Sequence, residues 1–186
     1  MNKKRLYFVA VVPPEEIRDQ VTKVKLEFAE KFVSSHALKS PPHITLIPPF
    51  MAASELEQKT ICLLEEVVKD RKPFEVRLNG FGAFKPRVIF IAIQENEALQ
   101  VLEKELTHRF KQLPELETRK GKSFNPHMSV AFRDLSPPMF HKAWDQYRST
   151  SFEAVFDVKS IFLLKHNGKF WDIHSEIFFT PTSSPS

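Results

Sequence analysis

Two short segments constrain this chain more than anything else in it. Pro41-Pro42-His43-Ile44-Thr45-Leu46 and Asn125-Pro126-His127-Met128-Ser129-Val130 repeat one order: proline, histidine, apolar, hydroxyl, apolar. In an extended strand successive side chains point to opposite faces. His43 and Thr45 therefore share one face while Ile44 and Leu46 share the other, and His127 and Ser129 stand likewise over Met128 and Val130. A single His-x-Thr is ordinary in strands, where β-branched residues fit the pleat. Core packing gives no reason to repeat a polar pattern together with its proline. The chain thus needs two strands with buried apolar backs and open polar fronts, which singles out His43, Thr45, His127 and Ser129 as candidate catalytic residues.

The ordinary pKa of histidine, about 6.5, lets one imidazole take a proton and another give one near neutrality. Two histidines on facing strands can work on opposite sides of a phosphorus atom, and an i, i+2 pair on one strand cannot. The hydroxyls would donate to the non-bridging oxygens, where charge develops. The scheme requires no metal or cofactor, and Cys–His metal spacing is absent.

The doubled pattern resembles the 2H phosphoesterase superfamily, and within it the 2'-5' RNA ligase and 2',3'-cyclic phosphodiesterase group. The likeness runs from the strand at Leu6 to the final strand near Phe178. It implies an α+β, bilobal fold: two pseudo-symmetric lobes, each a mainly antiparallel sheet backed by helices, with one motif per lobe across a central cleft. It also implies hydrolysis of the 2',3'-cyclic phosphate of RNA ends or small nucleotides, with His43 as acid toward the leaving 3' oxygen and His127 as base toward water. The same resemblance implies that joining of RNA ends through a 2'-5' bond uses the same groups. Ser129 stands where many members carry threonine, and it keeps the hydroxyl.

Composition narrows the setting. With 27 basic and 23 acidic residues in 186, a formal charge of +4 and a pI near 9.1, the chain favours an anionic partner. The lone Cys62 lies in an apolar helical stretch, so the reading is a reducing, cytoplasmic setting without internal disulfides. The apolar run from Leu6 to Val12 ends at Pro13-Pro14 and reads as a strand, not a membrane span. The expected partner is RNA or a nucleotide with a cyclic phosphate, with no membrane and a monomeric chain.

Taken in order, Arg5 to Val12 predicts a first strand. Pro13-Pro14-Glu15-Glu16 opens a helix with Ile17, Val21, Val24, Phe28 and Phe32 on one face. Ala37 to Ser40 reads as a short strand leading into the first motif. Ser54-Glu55-Leu56-Glu57 fits a capping box for a second helix carrying Leu56, Leu63, Leu64, Val67 and Val68. Phe74 to Leu78 reads as a strand, Asn79-Gly80-Phe81-Gly82 as a turn or bulge, and Arg87 to Ile93 as another strand. A third helix shows Leu99, Leu102, Leu106, Phe110 and Leu113, and a charged loop from Pro114 to Lys122 follows. Pro137-Pro138 starts a helix through Trp144 and Tyr147. Phe152 to Lys165 and Phe170 to Phe179 form a closing hairpin turning at Asn167-Gly168. Residues 1–180 read as one domain of two intertwined lobes and 181–186 as a flexible tail.

Weaker substrate-binding candidates are Phe50, Phe84 and Trp171, which could stack on a base, and Arg87, Arg133 and Lys165, which could meet phosphate. His174 on the last strand could reach the cleft. Two other classes compete: a nucleotide- or RNA-binding module with little or no turnover, and a metal hydrolase using the two histidines as ligands, for which no carboxylate set is evident.

Overall fold

A computed structural model describes residues 4–116 and 123–180. Residues 1–3, the end of the charged loop at 117–122 and the 181–186 tail lie outside them. The chain runs β1 (Lys4–Val11), α1 (Glu15–Phe32), a 3-10 turn (His36–Lys39), β2 (Ile44–Ala53), α2 (Leu56–Val68), β3 (Phe74–Phe84), β4 (Val88–Ile93), α3 (Glu97–Lys111), β5 (His127–Ala131), α4 (Pro137–Tyr147), β6 (Glu153–Val158), β7 (Ser160–His166) and β8 (Trp171–Phe178). The strands form two four-stranded antiparallel sheets, ordered β2-β1-β7-β8 and β5-β4-β3-β6. The fold is the bilobal α+β arrangement. β1-α1-β2 and β4-α3-β5 are equivalent strand–helix–strand units, and each motif strand is the edge of its own sheet. Those two edges, β2 and β5, lie side by side.

The lobes are interlaced through their helices. α1 packs on β5 and α4, whereas α3 packs on β2 and α2 on β8. One apolar core therefore runs through both sheets, from Tyr7, Val9 and Val11 to Ile89, Ile91 and Met128. The other face of β1 supports a smaller cluster of Phe8, Ala10, Val12, Phe162 and Leu164, with Trp171 packed against it. β1 and β7 are apolar on both faces for this reason.

Three local expectations are corrected and one is narrowed. The Ala37 to Ser40 segment is not a strand: it closes as a 3-10 turn because the buried Lys25 ammonium, 2% exposed, donates to the Ala37 and Ser40 carbonyls at 3.0 Å each. Phe152 to Lys165 is two strands, not one hairpin arm: β6 pairs with β3 in one sheet and β7 with β1 in the other. The Asn79 to Gly82 segment is a bulge within β3, where register shifts between Leu78 and Phe81 and Gly80 takes φ +68. β2 also continues through Pro48-Pro49 to Ala53, which an edge strand tolerates because it pairs on one side only.

The third correction is the capping box. Glu55 occupies the N-cap of α2 without a side-chain cap bond. Glu57 instead accepts from Tyr7 Oη at 2.7 Å and Lys165 Nζ at 2.6 Å and lies 3.0 Å from His174 Nε2, fastening α2 to β1, β7 and β8. Burial works to raise the Glu57 carboxyl, but bonds from Lys165 and Tyr7 and the charges of His174 and Lys165 outweigh it and hold it below its ordinary 4.5. A depressed carboxylate contributes stability in full above its unfolded value and loses it as pH falls through the folded one. The Glu57→Gln variant is accordingly expected to unfold at lower temperature than wild type at pH 7, with the gap closing as pH drops below 4.5. Glu57→Ala, which strands the Tyr7 hydroxyl and Lys165, should cost about 1–3 kcal/mol in denaturant unfolding.

Candidate active site

The motif strands deliver their histidines in the same pose. His43 Nδ1 donates to the Pro41 carbonyl at 2.7 Å, and His127 Nδ1 donates to the Asn125 carbonyl, also at 2.7 Å. A carbonyl can only accept, so both rings hold their proton on Nδ1 when neutral and present Nε2 as the working nitrogen. Neither Nε2 has a hydrogen-bond partner among the described residues. The proline before each histidine removes one backbone donor and fixes the local turn. Thr45 and Ser129 are half-buried, as are both histidines, while Ile44, Leu46, Met128 and Val130 are buried behind them. Neither hydroxyl is engaged by another described side chain.

Each imidazole leans on a phenylalanine from the neighbouring strand. Phe8 of β1 lies 4.7 Å from the His43 ring, and Phe90 of β4 lies 5.1 Å from that of His127. Register explains both: Ala10 is opposite Thr45 and Phe90 is opposite Ser129, so the supporting rings share the motif faces. Phe84 adds a T-shaped contact to His127 at 5.0 Å. The two halves are close enough for the His127 charge to bear on His43.

The sequence model of the 2'-5' RNA ligase superfamily matches residues 13–170, a span that includes both motifs. The chain belongs to the 2'-5' RNA ligase superfamily. A Geobacillus kaustophilus protein named as a phosphoesterase is 25% identical over 173 residues, covering 90% of this chain and 92% of its own. A Bacillus pumilus protein of the same name is 27% identical over 127 residues, 67% of this chain and 68% of its own. Among solved structures, TT0787 of Thermus thermophilus superposes with a TM-score of 0.66 at 22% identity, over 94% of this chain and 97% of that one. Escherichia coli LigT complexed with 3'-AMP gives 0.67 at 18% identity, over 96% and 99%. These structures share the fold of this superfamily member.

Electrostatics separate the two imidazoles of this 2'-5' RNA ligase superfamily site. Burial drives the His43 pKa down to about 4; the Pro41 carbonyl opposes this, and the charges of Lys25 and His127 add to it. His127 is also lowered by burial, against the pull of the Asn125 carbonyl. Lys25 lies near enough to His43 to matter, and burial lowers its own pKa to about 7. It lines a pocket of about 250 Å³ with Pro41, Pro42 and Trp171, beside the first motif. Among the described residues no three His, Cys, Asp or Glu side chains converge as a metal site, and no helix is long and apolar enough to cross a membrane.

The weaker candidates divide sharply. Phe84, 38% exposed, stands against His127, and Trp171 packs on Phe8 at 4.6 Å, one ring removed from His43. Arg87 is exposed in the β3–β4 turn, where its N–H donates to the Phe84 carbonyl, and Arg133 is exposed just past β5, 5.8 Å over the Phe132 ring. Phe50 is corrected outright: it is 1% exposed and packs between Tyr7 and Phe110, so no base can stack on it. Lys165 and His174 belong to the Glu57 network on the helix-covered face of the first sheet, not to the motif face.

Sequence reasoning missed Phe8, Phe90, Lys25 and the two clamping carbonyls. Phe8 and Phe90 were open to inference once strand order was known. Lys25 carried no signal, since it replaces an apolar residue on a helix face.

Gly82 has a clear reason to be glycine. It is opposite Phe90 in the β3–β4 pairing, and a Cβ there would fall inside van der Waals contact with the Phe90 ring. That ring is already enclosed by Phe84 at 4.6 Å and His127 at 5.1 Å. Overpacking typically costs about 1–3 kcal/mol. Gly82→Ala should lower stability by about that amount in denaturant unfolding, and the His127 imidazole NMR signals should shift while those of His108, on α3, stay in place.

Proposed function

We propose that this protein is a metal-independent phosphodiesterase that opens 2',3'-cyclic phosphates of RNA ends or nucleotides to phosphomonoesters, and that 2'-5' ligation is the same ring opening with an RNA 5' hydroxyl in place of water as the nucleophile. The observation that carries this reading is the pair of imidazoles on adjacent sheet edges, both clamped at Nδ1 so that both offer Nε2. Water gives a proton to one Nε2 as its oxygen bonds to phosphorus. The bond from phosphorus to the 3' oxygen breaks, and that oxygen takes a proton from the other Nε2–H. A 2'-phosphate and a free 3' hydroxyl result, and solvent exchange resets the two rings. Thr45 and Ser129 donate to the non-bridging oxygens as charge accumulates. LigT, a fold neighbour, has been solved with 3'-AMP and with phosphate, which supports a nucleotide phosphate as the ligand.

The pKa order favours His127 as the acid and His43 as the base. Burial and two neighbouring charges press the His43 imidazole toward its neutral form, which suits a base, and leave His127 the better placed of the two to carry a proton. This reverses the direction implied by resemblance. The function itself is tested by incubating the protein with 2',3'-cyclic nucleotides in strong chelator and identifying the products. Steady formation of a 2'-phosphomonoester is the expected result. Saturable binding without turnover would make the chain a nucleotide-binding module, and turnover abolished by chelator would make the histidines metal ligands.

A further inference from the structure

We infer that Asp134 is a positioning residue that sets the spacing of the two histidines by joining the segment after one motif to the segment before the other. Its carboxylate accepts from Ser34 Oγ at 2.9 Å on one oxygen. On the other it accepts from the backbone N–H groups of Ser35 at 2.9 Å and His36 at 2.8 Å, with Ser35 Oγ at 3.4 Å. Asp134 lies seven residues after His127, and His36 lies seven before His43. The joint is thus about one short element from each working imidazole.

Both chain reversals at the joint use the left-handed region without glycine. Val33, at the C-cap of α1, has φ 55, and Arg133 has φ 63. Asp134 N–H closes a tight turn onto the Phe132 carbonyl at 2.8 Å, which points the carboxylate back at the serines. A β-branched or long side chain stays in that region only where the surroundings hold it there. The buried Ser34, 0% exposed, and the His36 ring set edge-on to Phe132 at 5.0 Å complete the contact. The 3-10 turn is then held from its other side by Lys25, so the approach to Pro41 and His43 is fixed from both lobes. Burial alone would raise the Asp134 carboxyl, but the bonds from Ser34, Ser35 and His36 hold it low.

The proposal rests on the two-histidine reading of the site. In Asp134→Ala, kcat on a 2',3'-cyclic nucleotide should fall about 10²-fold, as for a misplacement near 1 Å, with KM within about 3-fold. Asp134→Asn, which keeps an acceptor for both backbone N–H groups, should restore most of kcat. An independent readout is the imidazole 15N spectrum of the ligand-free protein, in which both His43 and His127 should shift in Asp134→Ala. If wild type has no turnover, the functional reading fails, and the spectrum alone decides the positioning role. Should Asp134→Ala not fold, Ser34→Ala takes its place with the same spectral and kcat readouts. A folded variant with unchanged kcat, or one in which only His127 shifts, overturns the inference.

Discussion

His43→Ala and His127→Ala are each expected to fold as wild type and to lose about 10²–10⁴ in kcat on a 2',3'-cyclic nucleotide, the range that a positioned acid or base contributes. His43 stands immediately before the edge strand β2 and His127 opens the edge strand β5, and both remain half-buried, so truncation removes little core. The double variant should be little slower than the worse single one, because groups that act as a unit are not additive. KM should change far less than kcat, since each imidazole acts chiefly in the transition state. Thr45→Val and Ser129→Ala should show smaller kcat losses, up to about 10²–10³ for a lost donor to developing charge. Steady-state kinetics with circular dichroism on the same samples checks all five variants.

The second large effect separates the roles of the rings. With a cyclic substrate whose 3' bridging oxygen is replaced by sulfur, the leaving thiolate departs without a proton, because a thiol has a pKa of about 8.5. His127→Ala should then recover to within about 10-fold of wild type, whereas His43→Ala should stay about 10²–10⁴ down. Recovery of His43→Ala instead would establish the direction implied by resemblance and show that bound phosphate overrides the pKa order of the free protein.

The site was legible because strand alternation is a local rule. Pro-His-Ile-Thr and Pro-His-Met-Ser each specify which side chains face outward without knowledge of the rest of the chain. The helical faces from Ile17 to Phe32 and from Leu99 to Phe110 were legible for the same reason, and both are buried as the spacing requires except at Val24, which is half-buried while Lys25 takes the enclosed place. Partners set by strand order were not. Phe8 faces His43, and Tyr7 one residue earlier faces Glu57, so choosing between them requires knowing which side of β1 the helices cover. The crossing at Lys159 left a faint trace: outward Glu153, Val155 and Asp157 alternate with more buried residues, and from Ile161 to Leu164 the chain is apolar throughout. Phe50 misled because a phenylalanine following a motif looks the same whether it points at a ligand or into a core. Asp134 was invisible because its partners lie about a hundred residues earlier in the chain.

The most direct test of the account is a titration of 15N-histidine-labelled protein with inorganic phosphate, followed at the imidazole nitrogens. If one anion sits between the two rings, the Nε2 signals of His43 and His127 move together, with a common midpoint and toward the protonated position, and the Nδ1 signals change little. Movement of one ring alone, or two well-separated midpoints, would mean that the histidines do not serve one phosphate and would contradict the account.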